Sequence, residues 1–230
     1  VSAALLEGQG LARTYWLGAT PVHALGGVDI TIRRGEFVVL QGPSGSGKTT
    51  LINLLGLLDR PDAGRLTLDG VSVAAMDENA RADLRRDRFG FVFQSFNLVA
   101  VLTASENVEY PMMLKGVPRE TRRRRALELL SSVGLSDKEA VRPDLLSGGQ
   151  RQRVAIARAL ANEPEFILAD EPTANLDTKT ADEVLDLMAR INDERQVAFV
   201  LSSHDPRVVA RAQRVLTLHD GRWAGSPPPQ

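Results

Sequence analysis

Gln41 to Thr50, Gln-Gly-Pro-Ser-Gly-Ser-Gly-Lys-Thr-Thr, restricts this chain more than any other stretch. Gly42, Gly47, Lys48 and Thr49 stand at the spacing of a phosphate-binding loop: a glycine, four free residues, then Gly-Lys-Thr. Glycines let main-chain N–H groups converge on phosphate oxygens, Lys48 adds a point charge toward the outer phosphates, and Thr49 offers an oxygen to Mg²⁺. Pro43, Ser44, Gly45, Ser46 and Thr50 complete the candidate cradle. The flanks agree: Glu36 to Leu40 reads as a buried strand and Thr50 to Leu58 as an apolar helix opening directly after the loop. A flexible Gly/Ser linker that met the spacing by chance would lack both.

At 230 residues the chain can form one large domain or two small ones around a core that needs no cross-links. The absence of cysteine excludes disulfides and thiolate metal sites and suits a reducing compartment. A formal net charge of −1 supplies no global field for nucleic acid, so no nucleic-acid partner is expected. The start has neither a basic n-region nor an apolar stretch of signal-peptide length, and Val1 in place of Met suggests trimming or renumbering. No window approaches the ~20 apolar residues that span a bilayer. The expectation is a soluble protein whose membrane role, if it has one, comes through a partner.

Val28 to Ile32 and Arg65 to Leu68 alternate apolar and polar residues, the latter before the turn pair Asp69-Gly70, and read as half-exposed antiparallel strands. Tyr15 and Trp16 sit ahead of them in a polar segment, an unusual place for two rings in a chain with 7 Phe, 2 Trp and 2 Tyr. One of them can stack on a base; alternatively both pack into the small sheet. Phe89 to Gln94 is a short aromatic strand ending on an amide. Thr121 to Val133 reads as a helix with Ala126, Leu127, Leu130 and Val133 inward, and the run Arg122 to Arg125 as its solvated face rather than a nucleic-acid patch. Met112 and Met113 suit a core or partner contact. From Phe166 onward, strands (Phe166 to Ala169, Val197 to Leu201, and Val215 to Leu218 as the last) alternate with a helix over Ala181 to Ile191. Ser226 to Gln230 reads as a frayed tail. Such alternation implies a mostly parallel sheet with ligands at its carboxyl ends.

Four side chains follow apolar strands and so arrive at one sheet edge. Asp170 closes its strand and suits the Mg²⁺ shell; Glu171, one residue further out, can reach a water behind a terminal phosphate. Gln94 can ligate Mg²⁺ and the attacking water, and His204 can contact the terminal phosphate. Glu171, His204, Gln94 and Lys48 are the candidate catalytic set, and Thr49, Gln94 and Asp170 the candidate metal set. Leu146 to Gln150, Leu-Ser-Gly-Gly-Gln, opens a helix carrying Val154, Ala157 and Leu160 at helical spacing. Ser147, Gly148, Gly149 and Gln150 thus lie where free N–H groups attract an anion, a second phosphate-binding surface, although an ordinary helix cap reads the same way in isolation.

In order and spacing, Gly42 to Thr49, Gln94, Leu146 to Gln150, Phe166 to Glu171, Asn175-Leu176-Asp177 and His204 resemble an ABC transporter ATPase subunit, over about Leu11 to Arg222. Phe89 to Leu98 with Leu102 to Pro111 is similar to the subgroup serving lipoprotein release and macrolide-type efflux. The resemblance implies a P-loop NTPase α/β fold with three parts: a RecA-like core (36–61, 76–94, 160–222), a small antiparallel β subdomain (1–35, 62–75) and a helical subdomain (95–159), with 223–230 as a flexible tail. It further implies ATP and Mg²⁺ as ligands and a head-to-tail dimer in which Ser147 and Gly149 of one copy cap the ATP held by Lys48 of the other. Asp177 would lie across the dimer seam, Tyr15 would take the adenine-stacking position, and residues 95–114 would meet a permease at the inner face of the cell membrane. Ala174 and Ser203 depart from the commonest family residues without removing a catalytic group. Two other roles share this machinery. A DNA-repair ATPase would carry a coiled coil or zinc insertion, and residues 51–145 hold no heptad run. A regulator of a cell-division or cell-wall hydrolase system would differ only in its membrane partner.

Overall fold

The computed structural model describes residues 4–225. It opens on a long hairpin, β1 (Ala4–Leu17) antiparallel to β2 (Thr20–Arg33), paired from Ala4 opposite Arg33 to Leu17 opposite Thr20. The alternation read at Val28 to Ile32 is therefore only the regular end of a much longer strand. Tyr15 and Trp16 stand in β1, with Tyr15 opposite Val22.

β3 (Phe37–Gln41) is buried on both faces through Phe37, Val38, Val39 and Leu40 and feeds the glycine loop. The next helix, α1 (Lys48–Leu55), begins and ends earlier than the apolar run suggested. Leu57 takes φ 58, which no right-handed helix accommodates, and Leu58 is turned to solvent. β4 (Ala63–Leu68) and β5 (Val71–Ser72) meet at the expected Asp69-Gly70 turn, both residues having positive φ. α2 (Glu78–Arg88), capped by Asp77, leads into β6 (Phe89–Phe93).

Three helices come next: α3 (Ala104–Leu114), α4 (Arg119–Ser132) and α5 (Gly148–Ala159). On α4 the inward residues are Ala126, Leu129 and Leu130, with Val133 buried just past its end; Leu127 is exposed, so the expected apolar face is corrected by one position. Met112 is buried whereas Met113 is exposed. The chain then runs through β7 (Phe166–Asp170), α6 (Thr178–Arg195), β8 (Ala198–Ser202), the short α7 (Pro206–Val209), β9 (Arg214–His219) and β10 (Arg222–Trp223). β9 is not the last strand. Trp223, placed in the tail by sequence, pairs with Leu218 in β10 and donates its indole N–H to Asp29 O at 2.7 Å. The expected frayed segment 226–230 lies outside the described residues.

The main sheet has the order β10-β9-β3-β8-β7-β6, parallel except for the β10 edge. The second sheet, β2-β1-β4-β5, is antiparallel throughout. One apolar core lies between the main sheet and α3 to α6; the other packs α1 between the two sheets. Leu40, Ser202, Asp170 and Phe93 form one row in register across β3, β8, β7 and β6. The loops leaving these strands therefore emerge together at the carboxyl edge, where open α/β sheets bind ligands.

Candidate functional site

That edge bounds a cavity of about 630 Å³ lined by Pro43, Ser44, Gly45, Ser46, Gly47, Lys48, Thr49, Thr50, Gln94, Asp170, Glu171 and His204. Gly42 is not among the lining residues. A Cβ there would meet Leu218 O at 2.1 Å, and one at Gly47 would meet Ala24 O at 2.3 Å, so close packing as well as phosphate approach requires these glycines. Lys48 Nζ donates to Gly42 O at 2.8 Å and Pro43 O at 2.9 Å. Lys48 is 8% exposed and has no carboxylate partner among the described residues. A buried cation without a counter-charge is costly, which makes the cavity a strong anion site. The buried Ser46 Oγ has no hydrogen-bond partner either and fits the same anion.

Thr49 Oγ1 donates to Asp170 Oδ2 at 2.9 Å and Oδ1 at 3.1 Å, and Ser202 Oγ also donates to Asp170. A hydroxyl and a carboxylate side by side, with the Gln94 amide on the same wall, form an all-oxygen set of the kind a hard divalent cation selects. Gln94 is held by its main chain: its carbonyl accepts from Asn175 Nδ2 at 3.0 Å, which ties the end of β6 to the loop after β7. Glu171 N donates to Ser202 O and Ser202 Oγ, both at 3.1 Å. Its carboxylate faces His204 Nδ1 at 2.9 Å and accepts from Ser203 Oγ at 3.4 Å.

Val22, His23 and Ala24 of β2 line the same cavity although no sequence motif marks them, as does Ala174 just ahead of Asn175-Leu176-Asp177. Only a correct trace of the whole hairpin would bring the first three there. Conversely, Tyr15, Ser147, Gly148, Gly149, Gln150 and Asp177 do not line it. The Tyr15 hydroxyl donates to Asp59 Oδ2 at 2.8 Å. Ser147 and Gln150 form a capping box at the start of α5, with Ser147 N donating to Gln150 Oε1 at 2.9 Å. Gly149 is buried there, and a Cβ on it would lie 2.2 Å from Thr180 Cγ2. Asp177 caps α6, accepting from Thr180 N at 3.0 Å and Thr180 Oγ1 at 2.6 Å, and these bonds hold its carboxyl below the ordinary aspartate value.

Residues 25–174 match the family model for the ABC transporter. The chain is 46% identical to the lipoprotein-releasing system ATP-binding protein LolD 1 of Rhodopseudomonas palustris, over 97% of this chain and 100% of that one. It is 48% identical to the macrolide export ATP-binding/permease protein MacB 1/2 of Paracoccus denitrificans, over 96% of this chain but only 33% of that longer one. A dimeric, post-hydrolysis structure of the Methanocaldococcus jannaschii ATP-binding cassette MJ0796, bound to ADP and Pi, superposes with a TM-score of 0.87 at 42% identity, covering 96% of this chain and 97% of that one. The motifs, the sheet edge they share and these likenesses agree: the chain belongs to the ABC transporter family, as an ATP-binding subunit that hydrolyses ATP.

Proposed function

We propose that two copies of this chain close head to tail around two ATP molecules and that closure, hydrolysis and reopening drive a membrane permease. The observation that carries this reading is the separation of two anion-attracting surfaces. Ser147 to Gln150 start α5, where the capping box takes the N–H groups of Ser147 and Gln150 and leaves those of Gly148 and Gly149 free, yet none of the four residues borders the cavity that holds Lys48. A second copy turned about a two-fold axis brings each helix start to the other's phosphates. The dimeric cassette bound to ADP and Pi supports that arrangement for a relative of similar length.

In this reading the loop from Gly42 to Thr50 and Lys48 grip the phosphates, and Tyr15 stacks on adenine. Ser147, Gly148, Gly149 and Gln150 cap the triphosphate from the partner, with Asp177 at the seam. Thr49, Asp170 and Gln94 would hold Mg²⁺, which when bound would supply positive charge beside the phosphate oxygens. Glu171 orients the attacking water and takes its proton, and His204 steadies the terminal phosphate while hydrogen-bonded to Glu171.

The permease meets an apolar groove of about 350 Å³ lined in part by Phe91, Phe93, Asn97, Tyr110, Pro111 and Leu114, within and beside residues 95–114. The groove abuts β6, which leads directly into Gln94, so a helix seated in it senses whether Gln94 is engaged. That docking places the subunit on the inner face of the membrane; among the described residues no helix is long and apolar enough to cross one. The likeness to LolD and MacB favours lipoproteins or macrolides as cargo. Size-exclusion chromatography of Glu171→Gln tests the core of the reading. ATP should convert it from monomer to dimer, and a variant that stays monomeric with ATP while keeping normal turnover would overturn it.

A further inference from the structure

Tyr15 is held in place by a polar network that nothing in the phosphate chemistry requires. Its hydroxyl donates to Asp59 Oδ2 at 2.8 Å. Arg13 lies over the ring, with Cζ 4.9 Å from the centroid. The same guanidinium grips both oxygens of Asp59, Nε to Oδ2 at 3.0 Å and Nη2 to Oδ1 at 2.9 Å, and reaches Asp62 Oδ1 at 2.6 Å. Asp62 in turn accepts from Thr14 N at 2.7 Å. Burial and Asp59 both push the Tyr15 phenol up from its ordinary value, so it remains a donor. From the other side, Arg81 donates to Asp59 O at 2.7 Å and fixes the segment beyond α1.

We propose that Arg13 and Asp59 are positioning residues for the nucleobase: the guanidinium covers one face of Tyr15, the carboxylate pins its hydroxyl, and the remaining face is presented to the base. The proposal rests on the reading that Tyr15 stacks on adenine. Because the ring is ordered before nucleotide arrives, binding need not immobilise it, an advantage of roughly 2- to 10-fold in affinity for one side chain. The ring is also tied, through Asp59, to the segment just past the helix that begins at Lys48, so base and phosphate sites form one rigid unit. No other cation or ring stacks on Tyr15 among the described residues, and Trp16, its neighbour on the opposite face of the strand, is 68% exposed.

The test compares dissociation constants for ATP and for inorganic tripolyphosphate, which carries no base, in full-length variants. Tyr15→Phe removes only the hydroxyl and Asp59→Ala the carboxylate. Each should weaken ATP by about 2- to 10-fold and tripolyphosphate by less than about twofold. The double variant should be no worse than Asp59→Ala alone, because both changes release the same ring. Tyr15→Ala distinguishes stacking from positioning. If it leaves the ratio of the two affinities unchanged, stacking fails and positioning fails with it. If it lowers that ratio while Tyr15→Phe and Asp59→Ala do not, stacking stands and positioning is overturned. A parallel loss of ATP and tripolyphosphate binding in Asp59→Ala would also overturn it, by showing that Asp59 serves the fold of its loop.

Discussion

His204 Nδ1 lies 2.9 Å from Glu171 Oε1, and Glu171 itself sits at φ 46, in the left-handed region that side-chain-bearing residues seldom occupy. Such a conformation costs of order 1–3 kcal/mol and persists only where the surroundings impose it. Here the imposition is visible: Glu171 N is held by both the carbonyl and the hydroxyl of Ser202, at the end of the neighbouring strand. The carboxylate is thus aimed by the sheet rather than by its own rotamer preferences, with the imidazole on one oxygen and Ser203 on the other.

Replacing Glu171 by glutamine retains the shape and the backbone bonds but removes the base. Hydrolysis should slow by ~10²-fold or more, the lower range for losing a positioned base. The ATP dissociation constant should remain within a few-fold of the parent, since Lys48 and the glycine loop are untouched. Phosphate release and equilibrium binding measured on the same preparation decide it; turnover close to the parent's would remove Glu171 from the chemistry.

Ser147→Arg should abolish turnover and leave nucleotide affinity in the isolated subunit nearly intact. The Ser147 side chain borders no part of the cavity around Lys48 and caps α5 together with Gln150, so the substitution reaches a nucleotide only through a second copy. Loss of the cap lowers stability by about 1 kcal/mol, too little to unfold a domain of this size. Lys48→Ala is the contrast, because it removes the buried cation and should weaken binding directly. If Ser147→Arg weakened ATP binding as much as Lys48→Ala, Ser147 would belong to its own chain's site.

The sheet edge is legible in the sequence because four short apolar runs each end on a chemically distinctive residue, and parallel strands in register bring such ends together. Phe93, Asp170, Ser202 and Leu40 occupy one row, so Gln94, Glu171, His204 and the glycine loop can be placed together without knowing any side-chain contact. The β1–β2 hairpin is not legible in the same way. Register shifts at Gly8/Leu11 and Arg13/Thr14 break the two-residue period on which strand reading depends, which conceals both the strand beneath Tyr15 and the wall formed by Val22, His23 and Ala24. Leu127 reads wrongly as inward because Ala126, Leu127, Leu129 and Leu130 are nearly contiguous, and spacing alone does not say which of the central pair faces the core. The 2.2 Å approach of Thr180 to a Cβ at Gly149 is a tertiary fact with no local signal.

That approach yields a stability prediction whose sign opposes helix propensity. Alanine in place of a helical glycine ordinarily gains up to ~1 kcal/mol. At Gly149 the new methyl would enter the volume of Thr180 Cγ2, and overpacking of this kind costs typically about 1–3 kcal/mol. Gly149→Ala should therefore lower the urea midpoint and the melting temperature. Thr180→Ser, which deletes that methyl and keeps the hydroxyl bonded to Asp177 Oδ2, should restore most of the loss in the double variant. A Gly149→Ala protein as stable as the parent would mean that α5 and α6 separate there without penalty.

Acid should loosen the segment behind His204 through Asp205. Its carboxylate accepts from Arg207 N at 2.9 Å, from Arg207 Nε at 3.0 Å on each oxygen and from Arg207 Nη2 at 2.6 Å. Those bonds hold it below the ordinary aspartate value, with the arginine side chain the largest cause. In the unfolded chain the group titrates near its usual ~3.9. The folded state therefore binds the proton less readily than the unfolded state, and stability rises with pH across this interval. The contribution is complete above about pH 4 to 5 and is lost as pH falls through the depressed folded value. Arg207 also donates to Thr178 O at 3.0 Å, so the same ion pair joins α7 to the start of α6 beside Asp177. Asp205→Asn should be less stable than the parent at pH 7, and its stability should decline less steeply below about pH 4. Urea melts of both proteins from pH 7 down to about 3 measure the difference, and parallel curves would show that Asp205 carries none of the acid sensitivity.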